Sequence, residues 1–177
     1  MWSQEVLYES GSPQFGGKVN ILSYASTTLS VGGEMKLSDR TSIDLSLLYN
    51  PWSFKDNNKM KHILVQPEFR YWLCETFHGA FAGGHFHYGK YNVGGIGLSD
   101  YMKEHRFEGW LVGGGVSYGY HWILSGRLSL EATLGVGYTY LDYGVYPCEK
   151  CAEKIKDKTT GFFGPTRLGV SLIYTIK

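Results

Sequence analysis

The sequence predicts an all-β fold, an eight-stranded antiparallel transmembrane β-barrel of up-and-down meander topology. Three observations carry this. Eight segments alternate apolar and polar residues with a period of two, which puts one residue type on each face of an extended strand. The connections between them alternate between short and long. The apolar faces hold Leu, Val, Ile and aromatics, whereas the polar faces hold Gly, Ser, Thr and charges of both signs.

Length and composition agree. A chain of 177 residues is enough for one domain with a full core. A net charge of +1 argues against a polyanion binder working by bulk charge, so no nucleic-acid partner is expected. There are 24 Gly and 14 Tyr, which suits many strands packed around a tight interior. No apolar run of about 18 residues exists, so a membrane helix is excluded, but a spanning strand needs only about 9–11 residues with every second one apolar.

Residues 1–16 lack a sustained period and read as an N-terminal tail, with the barrel domain over 17–177. No basic stretch followed by an apolar run lies in residues 1–15, so the barrel reading expects a signal peptide already removed from the exported chain. Segment one, about Lys18 to Ala25, is the least regular, because Leu22 and Tyr24 disturb the alternation. Segment two is Thr28–Leu37, with Leu29, Val31, Met35 and Leu37 opposite Ser30, Glu34 and Lys36. The turn Ser38-Asp39-Arg40 leads to segment three, Thr41–Asn50, with Ile43, Leu45, Leu47 and Tyr49 on its apolar face. Segment four, Lys61–Leu73, sets Ile63, Val65, Phe69 and Tyr71 against Gln66, Glu68 and Arg70. Pro67 cannot donate to a ladder, so a bulge or local irregularity is expected there.

Segment five, Gly79–Tyr91, turns Ala80, Ala82, Phe86 and Tyr88 one way and Phe81, His85 and His87 the other. Segment six, Phe107–Ile123, opposes Trp110, Val112, Tyr118, Tyr120 and Trp122 to Gly113, Gly115, Ser117 and His121. Segment seven follows Leu124-Ser125-Gly126 and opposes Leu128, Leu130, Leu134, Tyr138 and Tyr140 to Glu131, Thr133 and Thr139. Segment eight, from about Thr166, alternates Leu168, Val170, Leu172, Tyr174 and Ile176 with Arg167 and small residues, ending at the last residue of the chain. That ending is similar to the C-terminal assembly signal of outer-membrane barrels.

Connections 38–40, 75–78 and 124–126 are short, whereas 51–60, 92–106 and 143–163 are long; the first, near Ser26-Thr27, is the exception. Short turns on one side and long loops on the other are the pattern of outer-membrane barrels, and an even strand count returns both termini to the turn side. Tyr49, Tyr71, Trp110, Tyr120, Trp122, Tyr140 and Tyr174 gather near strand ends, as interface girdles would. The polar faces carry Glu34, Lys36, Asp44, Glu68, Arg70, Glu131 and Arg167; adding Lys18 balances acids and bases as a lumen charge network. An eight-stranded interior is just wide enough for side chains to fill, and buried charges must pair. A soluble ligand-binding barrel would reverse the two faces.

Several stretches carry a family resemblance: Tyr49-Asn50-Pro51-Trp52, Val65 through Glu75, Gly109-Trp110, Ser117-Tyr118-Gly119-Tyr120, Leu130-Glu131-Ala132 and Gly161 through Thr166. Over residues 18–177 the chain resembles a Bacteroidota outer-membrane β-barrel family of unknown function. The resemblance implies a small OmpA-type barrel sometimes associated with fimbrial loci, and carries over no catalytic residue.

The remaining chemistry is sparse. His85 and His87 share a lumen face, and His121, Glu68 or Glu131 could add a third metal ligand. The reading preferred is polar lumen filling, with no metal and no cofactor. Cys148 and Cys151 fit a loop-pinning disulfide, half of a metal site or a redox pair, the disulfide being preferred for an exported chain; Cys74 is expected to be free. The Gly113-Gly114-Gly115 run lies inside a strand, so it fails the context a phosphate loop needs. Loop 149–158 mixes Lys with Glu and Asp, an ordinary solvated surface. No catalytic constellation is visible. The expected function is a non-enzymatic outer-membrane barrel with a closed, salt-bridged lumen, serving as a structural or anchoring component of the cell surface. Its expected partners are outer-membrane lipid, lipopolysaccharide and a protein of a surface or envelope complex. A lipid-modifying barrel enzyme and a small-solute pore are the alternatives.

Overall fold

The computed structural model describes residues 14–25, 27–51, 59–94, 105–147 and 156–176. Eight antiparallel strands follow one another in chain order and close into a ring: β1 (Phe15–Asn20), β2 (Leu29–Ser38), β3 (Thr41–Asn50), β4 (Lys59–Trp72), β5 (Gly79–Gly94), β6 (His105–Ile123), β7 (Leu128–Pro147) and β8 (Lys156–Ile176). One short helix, α1 (Ile21–Ala25), sits between β1 and β2. The topology is a closed barrel in which β1 pairs with β8.

The register fixes the geometry. One row of paired residues runs Gly164, Gly137, Gly115, His85, Glu68, Asp44, Glu34, Gly16 and back to β8 at Thr175. The row returns eleven residues further along β8, one of them the extra residue of a bulge between Pro165 and Arg167. A stagger of ten over eight strands tilts them by about 40° and leaves an interior that side chains can fill.

The alternation sorts as expected. The outward side chains between the turn end and the row of Tyr49, Trp110 and Tyr140 are uncharged below that row, most being Leu, Val, Ile or aromatic, and most of the larger ones stand exposed. The buried set is mostly polar: Lys18, Glu34, Asp44, Glu68, Arg70 and Glu131 with Ser, Thr and His.

Three expectations are corrected and one is narrowed. Segment one is shorter and earlier, Phe15–Asn20, so the strand reaches into what reads as tail; Leu22 and Tyr24 break the alternation because they belong to α1. Pro67 brings the expected local irregularity without a bulge: its register with Leu45 is continuous, and the ladder to β5 lapses at Gln66 and Pro67. A proline removes a donor without adding a residue, so rungs are lost and the register survives. The bulges lie instead near Lys36–Ser38 and at Thr166. Finally, most of connection 143–163 is strand, since β7 runs to Pro147 and β8 begins at Lys156; likewise β5 and β6 take up the ends of 92–106. Beyond the apolar belt, outward residues need not be apolar, so the period vanishes while the pairing continues.

Candidate functional site in the barrel lumen

Glu34, Asp44 and Glu68 lie side by side on β2, β3 and β4, each directly paired with the next. Like charges so placed repel unless cations stand between them. Arg70, two residues along β4, supplies that cation. Its Nε donates to Glu68 Oε2 at 2.6 Å, and its Nη1 donates to Glu34 Oε2 at 2.7 Å and Glu131 Oε2 at 2.8 Å. Nη2 donates to Glu131 Oε1 at 3.0 Å and lies 3.9 Å from Asp44 Oδ1. One guanidinium thus reaches all four acids, and a planar fork of five donors is the group able to do so.

Two further cations complete the cluster. Arg167 Nη2 lies 2.7 Å from Asp44 Oδ1 and 3.4 Å from Glu68 Oε2. Lys18 pairs closely with Asp44, and lies 3.4 Å from Glu131 and 3.8 Å from Glu34. Hydroxyls add hydrogen bonds to each acid: Ser42 donates to Glu34 at 2.5 Å, Ser46 to Asp44 at 3.0 Å, Thr133 to Glu131 at 3.0 Å, and Ser117 to Glu68.

The network expected from sequence is therefore assembled, with one member misplaced. Lys36 pairs with Asp39 at 2.9 Å beside the β2–β3 turn and does not join the cluster. Lys36 keeps the regular register with Ser42 at the turn end of β2, just before the bulge. Four acids consequently meet three bases. Outside the barrel wall, the Lys36 hydrogen bond and charge hold the Asp39 carboxyl below its usual range.

Toward the turn end the lumen is stopped by an aromatic plug that sequence reading missed. Trp72 and Phe81 are fully buried, with ring centroids 4.8 Å apart, and Arg70 Cζ lies 4.2 Å from the Phe81 ring centre. Phe77 turns inward from the β4–β5 turn, 6.1 Å from Trp72 and 6.2 Å from His121. Its φ of 67° lies in the left-handed region, which for a bulky residue costs about 1–3 kcal/mol. Packing of its buried ring offsets that strain. A signal was present: one large apolar residue inside a four-residue turn. Gly119 is bare because an added Cβ would strike the Phe81 ring. Trp72 Nε1 donates to Ser42 at 2.8 Å, tying plug to cluster.

Toward the loop end a polar chamber of about 100 Å³ lies above the cluster, lined by Lys18, Asn20, Gln66, Thr166, Arg167 and Ser171 among others. The His85 and His87 rings stack 28° apart at 5.8 Å. Their Nε2 atoms lie 2.8 Å from the hydroxyls of Thr166 and Thr139 respectively. Among the described residues no group of three His, Cys, Asp or Glu is placed to hold a metal. Cys74 is free and exposed, and Cys148 and Cys151 lie outside the described residues.

The seven aromatics expected as girdles all face outward, from Trp110 at 37% exposed to Tyr174 at 49%. Tyr71, Tyr120, Trp122 and Tyr174 lie toward the turn end, and Tyr49, Trp110 and Tyr140 toward the loop end. Rings of Trp110 and Tyr140 approach to 5.9 Å, those of Tyr120 and Trp122 to 4.8 Å.

A family model described as a protein of unknown function, DUF3575, matches residues 3–176. The match takes in nearly all of the stretch read as a separate tail. No curated protein and no solved structure matches the chain. With all but its ends covered by that model, the chain belongs to the DUF3575 family.

Proposed function

We propose that the chain is an integral outer-membrane β-barrel with a sealed lumen, serving as a structural or anchoring component of a cell surface. One observation carries the reading: the uncharged outward belt bounded by aromatic rows. On β6, Tyr120 and Trp110 stand ten positions apart. At about 3.4 Å per residue and a tilt of about 40°, they are separated by about 26 Å, close to the apolar band of about 25 Å expected of such barrels. Lys61, Lys90, Glu108 and Asp142 are outward charges at and just beyond the loop-side row. Water would not tolerate so large a continuous apolar surface, and lipid requires it.

No helix among the described residues is long and apolar enough to cross a membrane; in this reading the strands span it. The filled cluster and aromatic plug support a mechanical role: they hold the cross-section rigid while the loop-side rim meets partners. Membrane fractionation, with the gel mobility of unheated and boiled samples, tests the reading. Recovery in the membrane fraction with a heat-dependent mobility shift is expected. Recovery in the aqueous fraction without detergent would overturn it. Planar-bilayer recording separates anchor from pore: no steady current is expected, and sustained conductance would replace the anchoring reading. A change in lipid A mass on overexpression would instead favour a lipid-modifying enzyme.

A further inference from the structure

One cavity opens at the loop-side rim, touching outward residues and also the lumen-facing Asn50, His62 and Tyr91. It is a groove of about 430 Å³ along the loop-side ends of β3 to β6, lined by Tyr49, Ile63, Trp110, Lys61, Lys90 and Asn92 among others. The register explains its composition. Ile63 pairs with both Tyr49 and Lys90, Lys90 also with Trp110, and Lys61 with Asn92. These outward residues form one patch, with Ile63 and the two aromatics below and the cations and amide around and above them.

We propose that this groove binds the phosphate-bearing headgroup of an outer-leaflet lipid, with acyl chains running down past Ile63 and Val65. The proposal rests on the membrane reading above and names a ligand site within it. Depth and charge both favour this occupant. Lys61 and Lys90 stand at the level of the loop-side aromatic row, where headgroups lie and where long basic side chains reach them. Both lysines are exposed, and neither pairs with an acid among the described residues. Two lysines against the one acid lining the groove, Glu108, which accepts a hydrogen bond from Asn92 Nδ2 at 3.1 Å, leave the groove net positive. An extended apolar floor below a cationic lip is the pattern of an amphiphile, which distinguishes it from a site for a free anion.

The test uses the full chain in nanodiscs containing diphosphoryl lipid A or its dephosphorylated form, with bound lipid counted by native mass spectrometry after release into detergent. Wild-type chain should retain the phosphorylated form preferentially. The K61A/K90A variant should hold it about 10- to 30-fold more weakly, given about 1 kcal/mol per basic residue at a lipid surface. A Lys158→Ala control should be unchanged, and the heat-dependent mobility shift reports that each variant is folded. Equal retention by folded K61A/K90A overturns the proposal, as does displacement of the lipid by inorganic phosphate. A wild-type chain that enters the nanodisc without preferring the phosphorylated form overturns the site alone. One that does not enter overturns the membrane reading with it.

Discussion

The two halves of the barrel wall differ in height and in what they place inside. Strands β1 to β4 have 6, 10, 10 and 14 residues, whereas β5 to β8 have 16, 19, 20 and 21. In the single paired row round the ring, the short wall contributes Gly16, Glu34, Asp44 and Glu68, and the tall wall contributes His85, Gly115, Gly137 and Gly164. The charged side chains of the short wall meet Glu131 and Arg167, which reach in from the tall one. The tall wall does two jobs that separate along its length. Its lower part accepts the charge cluster; its upper part projects beyond the apolar belt. There β8 has β7 as its ladder partner, β1 having ended opposite Ser171.

Breaking the short wall's chemistry should have the largest effect. Arg70→Met leaves four buried acids facing two cations, and removing one partner of a buried ion pair typically costs about 3–5 kcal/mol. Urea unfolding in lipid vesicles should show a loss of that size, and Arg70→Lys should recover only part of it, because an ammonium cannot bridge four carboxylates. A change below about 1 kcal/mol would mean that solvent or another cation neutralises the cluster.

The separation within the tall wall is tested by one residue type at two heights. Val116→Lys places a charge in the middle of the belt and should cost about 2–4 kcal/mol, whereas Thr159→Lys, beyond it on β8, should be within about 0.5 kcal/mol of wild type. Equal costs at the two sites would remove the distinction between belt and projection.

The join between the walls comes next. Where β1 ends, the Asn20 side chain continues the ladder: Nδ2 donates to Leu168 O at 3.3 Å, and Oδ1 accepts from Val170 N at 3.2 Å. The same Oδ1 accepts from Leu22 N at 3.1 Å, starting α1. Asn20→Ala should destabilise by about 1–3 kcal/mol by orphaning those groups. Hydrogen exchange should quicken at Val170 and stay unchanged at Val116; unaltered exchange at Val170 would show that the seam is held by strand pairing alone.

The smallest effect is on pH. Lys36 lowers the Asp39 carboxyl, so this pair's stabilisation is present above the unfolded carboxyl pKa and is lost as pH falls through the folded one. Asp39→Asn should remove a slight acid dependence of stability and leave the fold at neutral pH intact. A stability profile unchanged below the carboxylate range would show the pair to be inert, as many surface pairs are.

Much of this was legible in sequence because it is local. Alternation needs only residues two apart to set the faces of a strand; thus Ile43, Leu45 and Leu47 point out, and Asp44 and Ser46 point in. Legibility failed where the rule changed. Beyond the belt the strands continue without alternation, so the ends of β7 and β8 read as loop. At Phe77 a turn residue folds inward, against the expectation that turns are polar and exposed.

The sequence by itself determined two faces, a meander of eight strands and the inventory of buried charge, since short-range periodicity and neighbouring strand pairing suffice for these. Only the tertiary structure decided which charges meet. Lys18 reaches Glu131 across 113 positions of chain, and Arg167 reaches Asp44 across 123, because closure of β1 on β8 and the stagger of the ring bring them together. Lys36, identical in pattern to the lumen bases, is left at the rim, where it pairs with Asp39 of the β2–β3 turn. Stagger is a property of the whole ring, and no single segment encodes it.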